Sequence, residues 1–296
     1  MKSRLPLLSA YTLSFIWMAL FVLVPLGILA LVSLAEGQIG IPPYKPLLEW
    51  GEGGLVALNA SFSNYAQLIE DGTLQASFSE SFRVAGSTTL ICLLLGWPMA
   101  WAIARARQEA RDILLLLVML PFWTSFLVRI YAWMTILSDD GLMNGLLLSL
   151  GLIDAPIVVL NTDTAVLIGM VYAYLPFMVL PLYAVLERLD VSLLEASADL
   201  GAHPFRTFRL VLLPLSLPGI LAGSALVFVP ALGEYVIPDL MGGGNSAMMG
   251  KMLWDIFSLT RDWPGAAALA IALLAGVALP LVLLQHVKRK LEARAA

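Results

Sequence analysis

The side chains best suited to covalent, acid–base or metal chemistry are few and scattered along this 296-residue chain. His203 and His286 are its only histidines and Cys92 its only cysteine. No His-x-x-x-His, paired-thiolate or Glu-flanked ligand spacing occurs, so no metal site is expected, and a lone Cys excludes an internal disulfide. The apolar segments lack the paired carboxylates of a proton pump or an intramembrane enzyme. The phosphate-cradling pattern Gly-x-x-x-x-Gly-Lys-Ser/Thr is absent, so any ATP dependence must come from another chain. What the spacing does offer is docking chemistry, in Leu189–Pro218. Asp190 or Ser192 can cap a helix whose small Ala196, Ala198 and Ala202 leave its surface approachable, and Gly201 turns the chain. Pro204 then suits the first turn of a second helix that mixes Phe205, Phe208 and Leu210 with Arg206 and Arg209. Such a pair can lie on lipid headgroups or dock into a protein, and the small residues favour the protein.

These residues must be held by membrane helices. With 60% apolar residues, 13% charged and a mean hydropathy of +0.88, the chain is too apolar for a soluble domain, where about a quarter of residues are charged. A net charge of -4 without a basic stripe excludes a nucleic-acid binder. Six apolar runs, near 11–34, 82–104, 113–136, 164–186, 211–233 and 265–287, each approach the ~20 residues that cross a bilayer. The reading is an all-α integral membrane protein with six transmembrane helices, the first a retained span rather than a signal peptide. Twelve of the 17 basic residues fall in the N-terminus, the 105–112 and 187–209 loops and the C-terminal tail, which places these segments and both termini in the cytoplasm. The outer segments carry fourteen acids against four bases, a surface of -10 that attracts cations or serves only solubility and topology.

The outer segment 35–81 opens with Pro42, Pro43 and Pro46 and then offers two short interfacial helices, one capped near Ser61 and running through Ile69, the other capped by Thr73 and leading toward the second span. Phe122, Trp123, Phe126, Tyr131 and Trp133 crowd the end of the third span around Arg129, as an interfacial belt or as the lining of a cavity. Arg129 is expected to face outer lipid, an acid such as Asp139, or a partner. Prolines at 25, 98, 121, 176, 181, 214, 218, 230 and 280 permit bent or broken helices, which favours a transporter or channel over an inert anchor.

Within the docking loop, Glu195-Ala196-Ser197, three residues, Gly201, nine residues and Val211-Leu212-Leu213-Pro214 resemble the EAA signature of bacterial ABC-importer permeases, with Ser197 and Val211 departing conservatively. Further stretches, Pro121 to Trp133, Val171 to Pro181, Gly233 to Gly243 and Arg261 to Pro264, are similar to spermidine/putrescine importer permeases, the putrescine-system type in particular. The likeness spans about residues 60–285. It implies a type I ABC importer permease fold forming one domain over 1–296, in the bacterial inner membrane. The 187–210 loop would couple to an ATPase through Glu195, Ala196, Asp199, Gly201, Ala202 and Phe205. The implied partners are a second permease, two ATPase subunits that hold ATP and Mg, and a periplasmic polyamine-binding protein; no cofactor is implied on this chain.

A diamine crossing a low-dielectric zone needs acids and aromatic faces. Glu234, Tyr235 and Asp239 are the first candidates, because Pro230 to Pro238 reads as a broken apolar segment able to dip toward a pore. Asp255, Trp254 and Trp263 follow, with Tyr172, Tyr174, Phe122, Trp123 and Trp133 as cation–π partners. The alternatives are a permease for an anion, iron or thiamine, or a membrane scaffold without a substrate path.

Overall fold

The computed structural model describes residues 12, 14–50, 56–245 and 247–278, which form two compact units. One runs up to Ala76 and resumes at Met252; the other is Ser77–Lys251. The two boundaries fall inside helices.

In the first unit, helix α1 (Ser14–Ser33) contains a π-turn at Ala19–Leu23, directly before Pro25. Proline removes one amide donor and crowds the carbonyl four residues back, and the wider turn relieves both. No described residue of α1 before Ser33 is buried. A two-stranded antiparallel ribbon pairs β1 (Leu48–Trp50) with β2 (Val56–Leu58). Helix α2 (Ser63–Glu70) is tied to the end of α1 by Asn64, whose amide donates to the Ser33 and Ala35 carbonyls at 2.9 Å each.

Helix α3 (Gly72–Arg105) is a single run of 34 residues. Its start merges the second anticipated interfacial helix with the second span. Its cap is Asp71 rather than Thr73: the Asp71 carboxylate accepts the Thr73 amide at 2.8 Å.

The third anticipated span, 113–136, is not one helix. Helix α4 (Gln108–Met119) tightens into a 3-10 turn at Leu120–Trp123, and α5 (Phe126–Leu137) leaves it; the stretches Gln108–Trp123 and Phe126–Ser149 are bent by 94°. Pro121 starts the break, Thr124 is extended and Ser125 leaves the helical region. Helix α6 (Leu142–Ser149) follows. Buried Asn144 pins the loop beyond it, donating to the Ile157 carbonyl at 3.0 Å and accepting the Ile157 amide at 2.9 Å.

Helix α7 (Asp163–Leu186) is the most buried of the long helices. The Thr162 hydroxyl caps it, and Pro176 and Pro181 lie within it without ending it. After α8 (Ser192–Asp199) comes α9 (Pro204–Leu232), which has a π-turn at Phe208–Leu212 ahead of Pro214.

Helices α7 and α9 pack closely through Gly219 and Gly223, four residues apart on one face. A Cβ at 219 would lie 3.0 Å from the Pro181 carbonyl oxygen, and one at 223 would lie 2.7 Å from the Met178 sulfur. Small residues at this spacing let backbones meet where lipid offers no hydrophobic drive. Arg83 ties α3 to the start of α7, bonding Glu80 and Asp163 at 2.6 Å each.

Short α10 (Val236–Met241) and α11 (Met249–Ser258) come next. The helix α12 (Trp263–Ala278) is the described part of the sixth anticipated span, the remainder of which, with Pro280, lies outside the described residues. By length and composition four helices can cross a membrane, α1, α3, α7 and α9, or five if the bent pair is one span.

Candidate functional site

The loop 187–210 forms a helix–turn–helix. Asp190 accepts the Ser192 amide at 3.0 Å, which holds its carboxyl below the ordinary value of 3.8. Helix α8 ends in a Schellman turn: the Gly201 amide donates to the Ala198 carbonyl at 2.8 Å and the Ala202 amide to the Ser197 carbonyl at 3.1 Å. This closure requires φ +70° at Gly201, a conformation that glycine adopts without strain. His203 then caps the next helix, accepting the Phe205 amide at 3.3 Å, so its role here is structural. A hydrogen bond of 2.8 Å joins the Ser197 and Thr207 hydroxyls across the two helices. The departure of Ser197 from the EAA pattern therefore has a partner, which its conservative size alone did not reveal.

Around this pinned turn, Glu195, Ala196, Asp199 and Gly201 are exposed and Ala202 half-buried, while Leu200 and Phe205 are 87% and 67% exposed. The pair thus presents apolar side chains with acids beside them on a rigid turn. An ion pair of 2.8 Å between Arg111 and Glu187 fixes the start of α4 to the end of α7, at the base of the loop.

A second constellation gathers at Glu234, between α9 and α10. Its carboxylate accepts the Tyr174 hydroxyl at 2.7 Å and the Val236 amide, in the first turn of α10, at 3.0 Å. Gly250 packs so closely here that a Cβ would collide with the Gly233 and Glu234 carbonyl oxygens. The start of α11 is held in turn by the buried Ser81 hydroxyl, which accepts the Met249 amide at 2.7 Å. From Tyr174 the rings continue: Phe177 lies 6.1 Å away and meets Phe122 edge-on at 5.2 Å. Phe177, three residues from Tyr174 on the same helix, was not among the sequence candidates, although that spacing shares a face.

The other candidates are distributed differently. Asp239 forms an ion pair with Lys251 at 3.1 Å, so its charge is already offset. Tyr235 is exposed beside Glu234, and Trp123 is exposed. Trp133 meets Tyr172 edge-on at 5.4 Å. Tyr172 also lines a cavity of about 380 Å³ between α3, α4 and α7 with Met99, Leu114, Val118 and Pro176. Among the described residues that line that space there is no carboxylate. Trp254, Asp255 and Trp263 belong to the first unit, where Trp263 stacks on Phe257 at 5.5 Å. Arg129 lies over the Phe122 and Phe126 rings, 5.7 and 5.6 Å from their centres, and among the described residues it makes no ion pair.

Among the described residues no group of three or more His, Cys, Asp or Glu could hold a metal ion. Apolar membrane helices, a rigid helix pair outside them and a carboxylate set among aromatic rings define the class as a membrane transport component. The chain belongs to the family of binding-protein-dependent transport system inner membrane components, whose model matches residues 89–293. It is 39% identical over 259 residues to the spermidine/putrescine transport system permease protein PotB of Haemophilus influenzae, covering 88% of this chain and 86% of that one. Identity to PotB of Escherichia coli K12 is 43% over 222 residues, 75% of this chain and 80% of that one. The fold resembles the crystal structure of a bacterial ABC transporter involved in the import of the acidic polysaccharide alginate, with a TM-score of 0.67, 17% identity and coverage of 97% and 96%. Its role is therefore transport, in the inner membrane, on a permease fold.

Proposed function

We propose that this chain is a membrane-spanning subunit of an ATP-driven polyamine importer. It forms the translocation path with a second permease and couples to two ATPase subunits, which hold ATP and Mg, through the 187–210 loop. The loaded binding protein docks on the acidic outer surface; both termini lie in the cytoplasm, and the bent α4 and α5 count with α1, α3, α7, α9 and α12 as six spans. No cofactor resides on this chain.

The observation that carries the substrate class is Glu234. A carboxylate accepts about four hydrogen bonds, and two positions here are taken by Tyr174 and Val236, which leaves acceptor capacity for an ammonium group amid aromatic faces. The identity to spermidine/putrescine permeases supports the same reading. The chain contributes positioning and desolvation rather than bond chemistry. Leu200 and Phe205, fixed by the Gly201 turn and the Ser197–Thr207 bond, supply the apolar knob for a cleft in the ATPase, with Glu195 and Asp199 at its edge.

The test is uptake of labelled putrescine, spermidine and a tetrahedral anion by the reconstituted importer, each with its matching binding protein. Polyamine uptake that depends on this subunit is expected. Transport of the anion alone would remove the cation role of Glu234. Glu195→Arg is expected to abolish ligand-stimulated ATP hydrolysis while the subunit stays folded, and normal coupling would sink the docking role.

A further inference from the structure

We propose that Trp97, with Phe208, Trp101 and Arg105, is the positioning contact through which movement of the coupling loop is passed into α3 and along it to the Glu234 region; this rests on the importer reading above. Phe208 opens the π-turn that directly follows the coupling helices. Its ring meets Trp97 edge-on, 4.7 Å between centres and 89° between planes. Trp97 stacks on Trp101 at 5.9 Å and 12°, and the Arg105 guanidinium lies 4.4 Å over Trp101. Residues 97, 101 and 105 are spaced by four and line one stripe of α3. Two guanidinium nitrogens of Arg105, Nε and Nη2, are buried without a hydrogen-bond partner among the described residues, and the group packs on the Trp101 face.

Trp97 also grips α9 a second time. Its indole N–H donates to the fully buried Ser216 hydroxyl at 3.3 Å, and that hydroxyl donates to the Leu213 carbonyl at 3.0 Å. The two grips, Phe208 and Ser216, lie at the start of the π-turn and four residues beyond its end, and such turns are frequent at functional sites. When the coupling helices shift, Phe208 travels with them and Ser216 stays with the body of α9. Trp97 touches both and hands the difference to α3. From Trp97 the same helix, in which Pro98 removes one hydrogen bond to residue 94 without ending the run, extends back to Ser81, about 24 Å away at 1.5 Å per residue. There Ser81 holds the Met249 amide, next to the close approach of Gly250 to Gly233 and Glu234. One continuous helix thus has the coupling-loop contact near one end and the neighbourhood of the Glu234 carboxylate near the other.

The experiment reads substrate moved per ATP hydrolysed, in proteoliposomes holding the complete importer with its loaded binding protein. Trp97→Leu is expected to lower that ratio about tenfold, with basal ATP hydrolysis and co-purification of the ATPase subunits retained. Trp97→Phe, which keeps a ring against Phe208, restores most of it. Phe208→Leu causes a similar fall, and the double variant is no worse than either single one because both break the same path. An unchanged ratio in Trp97→Leu, or losses that multiply in the double variant, overturns the proposal. If Trp97→Leu does not assemble, the same cycle is run with Phe208→Leu and Arg105→Gln under the same two criteria. Failure of the importer reading is distinguishable: the unmodified complex then shows no ATP-dependent uptake, or Glu195→Arg leaves coupling intact, and the proposal falls with it.

Discussion

Glu234 carries the largest share of the substrate argument at the scale of single residues. Its two hydrogen bonds orient the carboxylate without neutralising it, whereas Asp239 faces Lys251 and is offset. Removing the charge in Glu234→Gln should reduce polyamine uptake roughly 10- to 100-fold, the value of one charge-assisted hydrogen bond of about 1.5–3 kcal/mol. Tyr174→Phe deletes one neutral donor and should cost less, about fivefold for ~1 kcal/mol. Initial-rate uptake with protein level held constant checks both, and equal losses would argue against an orienting role for Tyr174. The Asp190 cap makes a prediction in pH. Its folded value is depressed by the Ser192 amide, so the stabilisation is present above the ordinary 3.8 and is lost as pH falls through the lower folded value. Amide exchange in 189–200 should therefore stay slow near neutrality and accelerate, relative to the intrinsic rate, only below that range. Asp190→Asn should show no such step.

Between α7 and α9 the contact is backbone against backbone, and that sets its tolerance. Gly219→Val would push a branched side chain into Pro181 and Leu182 and should cost about 1–3 kcal/mol, read as a lower unfolding temperature in detergent. Gly86→Ala, where nothing lies within 4 Å of the added carbon, should leave that temperature unchanged or raise it slightly. Ser197→Ala should loosen the coupling turn by about 1 kcal/mol, and Thr207→Val should add little on top, since one bond joins them. Long apolar runs and the cap–turn–cap order of 189–204 were legible in sequence because both are local patterns. The break at Thr124 was not, since hydropathy stays high across Pro121 and averages over a corner. Nor was Tyr174 against Glu234, sixty residues apart and joined only by packing. Phe208 against Trp97 was hidden in the same way. Asp71 took the cap expected of Thr73 because its carboxylate reaches the second amide ahead.

For the molecule as a whole, the proposed sidedness rests on the uneven charge distribution, and it decides which constellation would meet the substrate. With Asp140→Cys, an impermeant maleimide should label intact spheroplasts. With Leu200→Cys, labelling should need an opened membrane, and Cys92, fully buried, should stay silent in both. Labelling of Leu200→Cys from outside would invert the proposed orientation. The family's fold is expressed in long helices that differ in how they can move. Helices α7 and α9, interlocked through Gly219 and Gly223, are packed to move as a single lever. The corner of 94° between α4 and α5 has the geometry of a crank: a thrust along α4, whose base is strapped to α7 by Arg111 and Glu187, would emerge sideways in α5. In the proposed importer, a stroke at the ATPase side would therefore tilt one pair of helices and sweep the other laterally, opening a gap between them without lengthening either.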